Sequence, residues 1–417
     1  MTALSVGHLF TDVNQGAVAA LIPFLVAERG LSLAAAGTLV LAATLSSSIV
    51  QPLFGFFSDR TPLPALMPLG VIVGGAGIAL VGVAPNYLLI LICTVLSGLG
   101  VAAFHPESAR FASYVSGARR ARGMSFFSVG GNAGFALGPA ISTPLVLVFG
   151  LPGTLFLALP ALLMGLVLFY ELPRLLSFRP EAAEAAGEEG AKEPEHWGPF
   201  VRMVGAVAAR SFVYFGLVTF VAEYYIRVFE TSTALANTAL SVMLFAGGVG
   251  TLLLGPLADR VGRRAVLAGS MLVLSPLIYA FAFSGPSTGM ILLAFVGAAT
   301  IGTFGVTVVM GQEYLPGRIG TAAGVTLGFS IGLGGVGAPL FGVIADNYGL
   351  PAMMLTLATL PVVGLALALS LPRRREPSRS GAYRRGASVT EVPAAVAVSD
   401  TINSVKRLCQ RKARNTS

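Results

Sequence analysis

Long apolar runs separated by short polar breaks fill the first 371 residues of the chain. A helix needs about 20 largely apolar residues to cross the hydrocarbon core of a bilayer. Twelve runs come close to that length, and we predict a membrane span at each: residues 3–27, 34–57, 66–84, 87–110, 121–148, 153–171, 200–226, 234–258, 265–284, 289–312, 320–344 and 351–371. The expected fold class is therefore an all-α polytopic membrane protein with twelve transmembrane helices.

The same pattern occurs twice along the chain. Three pairs of signals lie 200 positions apart: Gly55–Arg60 with Gly255–Arg260, Gly138-Pro139 with Ala338-Pro339, and Pro85-Asn86 with Gly285-Pro286. Several signals at one constant offset indicate an internal duplication. Paired sets of membrane spans are typical of transporters, in which the substrate site lies between the repeats.

The duplication predicts two six-helix bundles, residues 1–172 and 199–371. Residues 173–198 between them are polar and low in complexity, which predicts a flexible cytoplasmic linker. Residues 372–417 hold eleven basic and three acidic side chains, which accounts for the whole formal net charge of +8. We expect this cytoplasmic tail to be largely disordered and to contact anionic lipid of the inner leaflet, since each basic residue there contributes about 1 kcal/mol.

Composition agrees with this architecture and excludes several classes of function. Charged residues make up 11% of the chain, against roughly 25% in soluble domains. Because the basic excess lies in the tail, nothing favours a nucleic-acid partner. Cys93 and Cys409 have no metal-ligand neighbours in sequence, so we expect neither a disulfide nor a metal or other cofactor. No nucleophile–base set and no nucleotide-binding loop stand out, which argues against an enzyme.

Most arginines flanking the predicted spans fall on one side of the membrane, which places both termini in the cytoplasm. Polar breaks at Asp12, Asn14 and Gln15 in the first apolar run argue against a cleaved signal peptide. Ionisable side chains inside spans are costly and indicate function. Together with other polar residues they cluster in spans one, four, seven and ten: His8, Asp12, Asn14, Gln15; His105, Glu107, Arg110; Arg210, Tyr214, Glu223, Tyr224, Tyr225; Thr300, Thr303, Thr307, Gln312, Glu313.

Two six-span halves and a Gly-x-x-x-Asp-Arg loop in each half resemble the major facilitator superfamily. Within it, the chain is similar to the bacterial fosmidomycin resistance proteins, drug exporters of the inner membrane. Four segments carry the resemblance: His8 to Asp12, Phe104 to Arg110, Phe127 to Pro139, and Gln312 to Gly320. It implies that spans one, four, seven and ten line a central cavity. It also implies a monomer that binds a small-molecule substrate and protons.

The resemblance further implies a cytoplasmic latch at the repeated loop, which biases the conformational equilibrium without touching substrate. Its residues are Gly55, Asp59, Arg60, Gly255, Asp259, Arg260, Arg263 and Arg264. The first copy departs from the family pattern after Arg60, and the alternative is that the arginines only anchor the loops on the positive side. Paired small residues and prolines predict helix bending at Gly134, Gly138, Pro139 and Pro339, with simple close packing as the alternative.

For proton coupling we favour Asp12, which shares a helix face with His8 four residues earlier. An inert polar pair that holds span one to span four is the alternative. Glu107 and Glu223 are further proton candidates. The predicted substrate cavity contains Gln15, His105, Arg110, Tyr214, Tyr224 and Thr303. Two structural alternatives stay open. Arg110 pairs with Glu107 on the same helix, and Tyr224 belongs to an interfacial aromatic belt.

The leading hypothesis is a proton-driven exporter of a small amphipathic or anionic compound that works by alternating access. Import of a metabolite on the same fold is the second hypothesis, because topology does not encode direction. A third is a non-transporting membrane scaffold or sensor, against which the intramembrane acids and histidines argue.

Overall fold

The computed structural model describes residues 1–48, 50–51, 54, 63–117, 120–178, 194–318, 321–322 and 324–372. In chain order its helices are α1 (Thr2–Arg29), α2 (Leu33–Ser48), α3 (Leu66–Val81), α4 (Tyr87–Ser116), α5 (Arg120–Phe149), α6 (Ala158–Leu176), α7 (Trp197–Arg227), α8 (Thr233–Val261), α9 (Arg263–Ala282), α10 (Pro286–Gly302), α11 (Phe304–Tyr314) and α12 (Ser330–Leu369). Residues 1–372 form one compact unit. The tail, most of the predicted linker, and Gly55, Asp59 and Arg60 lie outside the described residues.

Among the described residues, nine helical segments are long and apolar enough to span a membrane, and α2 and α3 are shorter apolar helices. The last segment reverses at Gly349, whose φ of 84° breaks α12 into two spans. The predicted all-α polytopic fold is confirmed, and this arrangement accommodates twelve spans. Span ten, which the nine include as the single segment Pro286–Tyr314, is interrupted by one residue, Thr303, which separates α10 from α11.

The 200-residue offset seen in the sequence also appears in the positions where helices begin. Leu33 opens α2 and Thr233 opens α8, while α4 and α10 begin at Tyr87 and Pro286. Local capping fixes some of these starts. The Asn86 side chain accepts a hydrogen bond from the backbone N–H of Leu89 and caps α4, as expected for this residue type at a helix N-terminus.

Small residues bring the spans of each half into close contact. A Cβ at Gly134 of α5 would lie 2.1 Å from the Leu9 carbonyl oxygen of α1, and one at Gly138 would lie 2.5 Å from the backbone of Gly16. Only glycine fits such a contact, because the two backbones occupy the space of a side chain. The geometry here favours the packing interpretation of Gly134 and Gly138; helix bending at them, and at Pro139 and Pro339, remains a prediction.

We call the end of the bundle that carries Arg174, Arg263, Arg264 and Arg318 the basic face, and the other end the opposite face. At the basic face the end of the linker is held by side chains. Glu195 accepts hydrogen bonds from Trp197 (2.9 Å) and Arg318 (3.0 Å). These two donors, Trp197 first, lower the pKa of the Glu195 carboxyl.

The two halves meet through hydrogen bonds at the opposite face. The Asp346 carboxylate accepts from the backbone N–H groups of Leu33 (3.0 Å) and Ala34 (2.9 Å), so it caps α2 from the other half. The Asn237 amide of α8 donates to the Ala20 carbonyl (3.0 Å) and to the Thr143 hydroxyl (2.8 Å). These hydrogen bonds hold the two halves together, so the bundle is closed at this end.

Replacing Asp346 with Ala should lower the thermal stability of the purified protein. The free energy of unfolding should fall by about 1 kcal/mol, the usual cost of deleting an N-terminal cap, and the midpoint of thermal unfolding should drop with it. Asn347→Ala is the matched control, because its amide bonds only to the Val343 carbonyl one turn away. Equal midpoints for Asp346→Ala and Asn347→Ala would contradict the assigned cap.

Candidate functional site: a cavity between the two halves

A cavity of about 1000 Å³ lies between the halves and reaches the basic face. Helices α1, α2 and α5 line it from the first half, and α7, α8, α10 and α11 from the second. The prediction that span four lines the cavity is wrong: no residue of α4, which the structure describes throughout, is among the lining residues. Helix α4 packs against α1 and α5, and its His105 side chain reaches the Asp12 carboxylate of α1.

The acid of span one lies between two histidines. Asp12 Oδ2 is 3.3 Å from His8 Nε2, and Asp12 Oδ1 is 3.4 Å from His105 Nε2. His8 and Asp12 are also cavity-lining residues. The i, i+4 spacing predicted the first contact. The second, between α1 and α4, adds His105 to what we call the His8–Asp12–His105 cluster.

Each imidazole of this cluster is held through its other nitrogen. His8 Nδ1 is 2.9 Å from the Phe127 carbonyl oxygen, and His105 Nδ1 is 2.8 Å from the Val101 carbonyl oxygen. A carbonyl only accepts, so both Nδ1 atoms carry the hydrogen. In a neutral imidazole Nε2 is then an unprotonated acceptor. Both Nε2 acceptors point at the Asp12 carboxylate.

Gly131 of α5 leaves room for the cluster. A Cβ at this position would lie 2.4 Å from His8 Nε2 and 2.7 Å from Asp12 Oδ2. Both distances are too short for a real contact, so any larger residue would displace the two side-chain ends. Ser128 and Asn132 line the cavity beside it. This segment carries part of the family resemblance, but the sequence alone gives no reason to assign it to the site.

Atoms of the cluster that could bind a metal ion, one from each side chain, all lie within 4.8 Å of one another. Two imidazoles and a carboxylate are ligands that transition-metal cations accept. A chelator in any functional assay would separate effects of adventitious metal from those of protons.

The other acids of the predicted proton pathway have cationic partners and lie away from the cluster. Glu107 is fully buried, and its Oε1 is 3.2 Å from the Leu63 backbone N–H and 3.5 Å from Arg110. This contact is the alternative pairing that the sequence left open. Glu223, near the opposite face, accepts a 2.7 Å hydrogen bond from Arg227.

The predicted cavity residues separate into two groups. Gln15 and Tyr214 line the cavity, whereas His105, Arg110, Tyr224 and Thr303 do not. Tyr224 is fully buried, and its hydroxyl donates to the Ala282 carbonyl (2.8 Å). It therefore belongs neither to the cavity nor to an exposed belt. From sequence, the aromatic position at the end of a span could not reveal which way the ring turns.

Arg210 of α7 is a buried cation whose guanidinium has hydrogen-bond partners for only one of its three nitrogens among the described residues. Its side chain is fully buried, and its recorded hydrogen bonds run from Nη1 to Thr303 (3.0 Å) and Thr307 (3.5 Å). The guanidinium lies 4.0 Å from the centroid of the Phe304 ring. No ion pair of Arg210 is found among the described residues. Sequence reasoning noted Arg210 as an intramembrane cation but did not include it in the predicted site.

The second copy of the repeated loop holds the basic face of the second half together. Arg263 contacts Glu313 (2.5 Å) and Asp259 (3.4 Å). Arg264 donates to the carbonyls of Ala368 and Leu369 at the end of the last span. Gly255 and Asp259 line the cavity mouth. Arg260 is exposed and has no ion pair in the described part of the chain, and a latch function for these residues remains a prediction.

A bundle of apolar helices that repeats after 200 residues and encloses a largely apolar cavity with a few polar and charged side chains in its wall defines a membrane transport protein of the secondary-transporter class. The family model described as Major Facilitator Superfamily matches residues 4–326 and 203–408. The chain is 34% identical over 376 residues to the uncharacterized MFS-type transporter YfnC of Bacillus subtilis, covering 88% of this chain and 91% of that protein. It is 31% identical over 377 residues to the fosmidomycin resistance protein of Escherichia coli, covering 89% and 92%.

Solved structures agree at the level of fold. A bacterial homologue of the lysosomal transporter Spinster superposes with a TM-score of 0.71 at 17% identity, covering 88% of this chain and 95% of that one. The xylose transporter XylE from Escherichia coli gives 0.72 at 13% identity, covering 90% and 96%. The chain therefore belongs to the major facilitator superfamily. It is a multi-pass membrane transporter and not an enzyme, and the predicted resemblance is confirmed.

Proposed function

We propose that this transporter exports a small anionic or amphipathic compound from the bacterial cytoplasm in exchange for protons. The observation that carries the proposal is the His8–Asp12–His105 cluster at the cavity. Protons entering through Asp12 would drive the change between two states of the cavity. One proton moving through 100 mV supplies about 2.3 kcal/mol, so no nucleotide is needed.

The donor and acceptor pattern of the cluster supports proton coupling. When both imidazoles are neutral and Asp12 is ionised, acceptors face acceptors at 3.3 and 3.4 Å. A hydrogen bond forms at each contact only when a proton lies between the two atoms. Two added protons satisfy both contacts, whereas one leaves a repulsive contact. The packing of α1 against α4 and α5 therefore depends on how many protons the cluster holds.

The cavity is open at the basic face and closed at the opposite face, so a substrate can enter it only from the basic face in this state. The positive-inside pattern predicts that the basic face is cytoplasmic, and in the proposal this state is the one that loads substrate from inside the cell. Export would require the Asp346–α2 and Asn237 contacts to break.

Export is favoured over import by the similarity to the fosmidomycin resistance protein. Import of a metabolite is the second candidate. Similarity to the proline/betaine transporter of Salmonella typhimurium supports a metabolite as the substrate but gives no direction, at 25% identity over 271 residues, which cover 56% of this chain and 53% of that protein. Cell inner membrane localisation, cytoplasmic termini, a monomeric state and contact of the basic tail with anionic lipid belong to the same proposal.

Asp12→Asn should abolish gradient-driven transport while leaving substrate binding in place. Asparagine keeps the size of the side chain but cannot exchange a proton at neutral pH. The measurement is uptake of labelled fosmidomycin into proteoliposomes with an imposed pH gradient, with a chelator present and binding followed separately. We expect a loss of at least about tenfold in transport, because the coupling step is removed.

Glu107→Gln is the matched control for this experiment, since it also neutralises a buried intramembrane acid, outside the cluster. Equal loss in both variants would show that coupling is not specific to Asp12. Unaffected transport by Asp12→Asn would overturn the assigned coupling site. A wild type that moves fosmidomycin without responding to the gradient would overturn proton exchange itself.

Gly131→Ala should uncouple transport without unfolding the protein. The added Cβ would meet the ends of His8 and Asp12, which can rotate away at the cost of the cluster geometry. We expect a thermal midpoint near that of the wild type and gradient-driven uptake reduced at least about tenfold. Gly269→Ala in α9 is the control, because a Cβ there meets open space and the residue does not line the cavity. Full uptake by Gly131→Ala would show that the cluster geometry is dispensable.

A further inference from the structure

We propose that Arg210, Thr303 and the N-terminus of α11 form a binding site for an anionic group of the transported compound. The inference rests on the proposed function, because it assumes that a small acidic molecule enters the cavity. It adds the position of the acidic group, in the second half of the bundle, and the chemistry that recognises it: a carboxylate, phosphate or phosphonate.

The first argument is the incomplete coordination of Arg210. The side chain is 0% exposed, and its Nε and Nη2 atoms have no hydrogen-bond partner among the described residues. A guanidinium presents its donors as a planar fork that fits an oxyanion with two parallel hydrogen bonds. Thr303 and Thr307 engage only Nη1. Two of the three nitrogens are therefore available to a ligand.

The second argument is the break in span ten beside this arginine. Helix α10 ends at Gly302 and α11 begins at Phe304, with Thr303 between them at φ −91° and ψ 0°. The first N–H groups of a helix have no partner within it, and they carry the positive end of the helix dipole. Discontinuous membrane helices in transporters direct such half-helix N-termini at anionic substrate groups. Helix α11 has 11 residues, enough for this effect.

Geometry connects the two features. The Thr303 hydroxyl, at the junction of the half-helices, accepts the 3.0 Å hydrogen bond from Arg210. A buried cation and a helix N-terminus thus converge on one point. Both attract negative charge, and no described carboxylate forms an ion pair with this arginine.

Access runs past Phe304. Its ring covers the guanidinium at 4.0 Å and also lines the cavity. Tyr214, one turn along α7 from Arg210, lines the cavity too and contacts Phe304 edge to face, with centroids 5.9 Å apart. Next to this ring, Gly305 leaves open space. Rotation of a single side chain would therefore connect Arg210 with the cavity.

A ligand role and a structural role predict opposite effects of Arg210→Met. Methionine has a similar length without charge. If the arginine stabilises the fold, its loss lowers the thermal midpoint. If it is retained for an anion, removal of an unpaired buried charge leaves the midpoint unchanged or raises it.

The experiment uses the purified full chain in detergent without a proton gradient. Thermal unfolding is followed with increasing fosmidomycin, inorganic phosphate or, as an uncharged reference, glycerol. We expect at least one of the two anionic probes to raise the midpoint of the wild type. In Arg210→Met the unliganded midpoint should not fall, and the apparent Kd for that probe should weaken at least about tenfold. Arg202→Met, on the exposed part of the same helix, should respond as the wild type does.

Three results would overturn the assignment: a lower unliganded midpoint in Arg210→Met, an unchanged apparent Kd in that variant, or no response of the wild type to either anionic probe. Failure of the proposed function would look different. Transport that persists in Asp12→Asn would reject proton coupling there, while the anion response of Arg210 would stand, since it is measured without a gradient.

Discussion

Lipid offers no hydrogen bonds to a charge inside a membrane span, so the protein itself has to compensate every such charge. The described part of this transporter follows that constraint at nearly every site. Asp12 lies between two imidazoles, and Glu223 is bound by Arg227. Arg210 departs from it, because one nitrogen is bonded and two are not. Such an imbalance is expected at a functional position and not at a structural one.

Much of the fold could be predicted from one sequence because bilayer thickness and helix rise fix the length of a span. The 200-residue offset is also present in the structure, since the second helix of each half begins at Leu33 and at Thr233. The contact of His8 with Asp12 followed from helical spacing alone. What these predictions share is that they depend on distances along the chain or along a single helix.

The rest depends on how each helix is rotated about its axis, and one sequence does not determine that. Span four was expected at the cavity, yet His105 turns toward α1 and Glu107, two residues later, toward Leu63. Tyr224 turns into the core for the same reason. Asp346, which caps α2 from 313 residues away, had no local signal at all. The turn at Thr303 could not be predicted, because it lies within a continuous apolar run and the neighbouring glycines are common in membrane helices.

The proposed proton site at the cluster and the proposed anion site at Arg210 would together restrict what an exchanger built on them could carry. A proton on the first half and an anion on the second attract each other, and attraction alone would move both in one direction. Exchange requires the compound and the protons to compete for the same atoms. The Nε2 acceptors of His8 and His105 are such atoms, because an N–H or O–H donor of the compound can take the place of a proton on each. A compound with an acidic group at one end and a hydrogen-bond donor at the other would meet Arg210 with the first and displace protons with the second. In the proposed exchanger, competition at the cluster, and not the sign of the charge, would therefore set the direction of coupling.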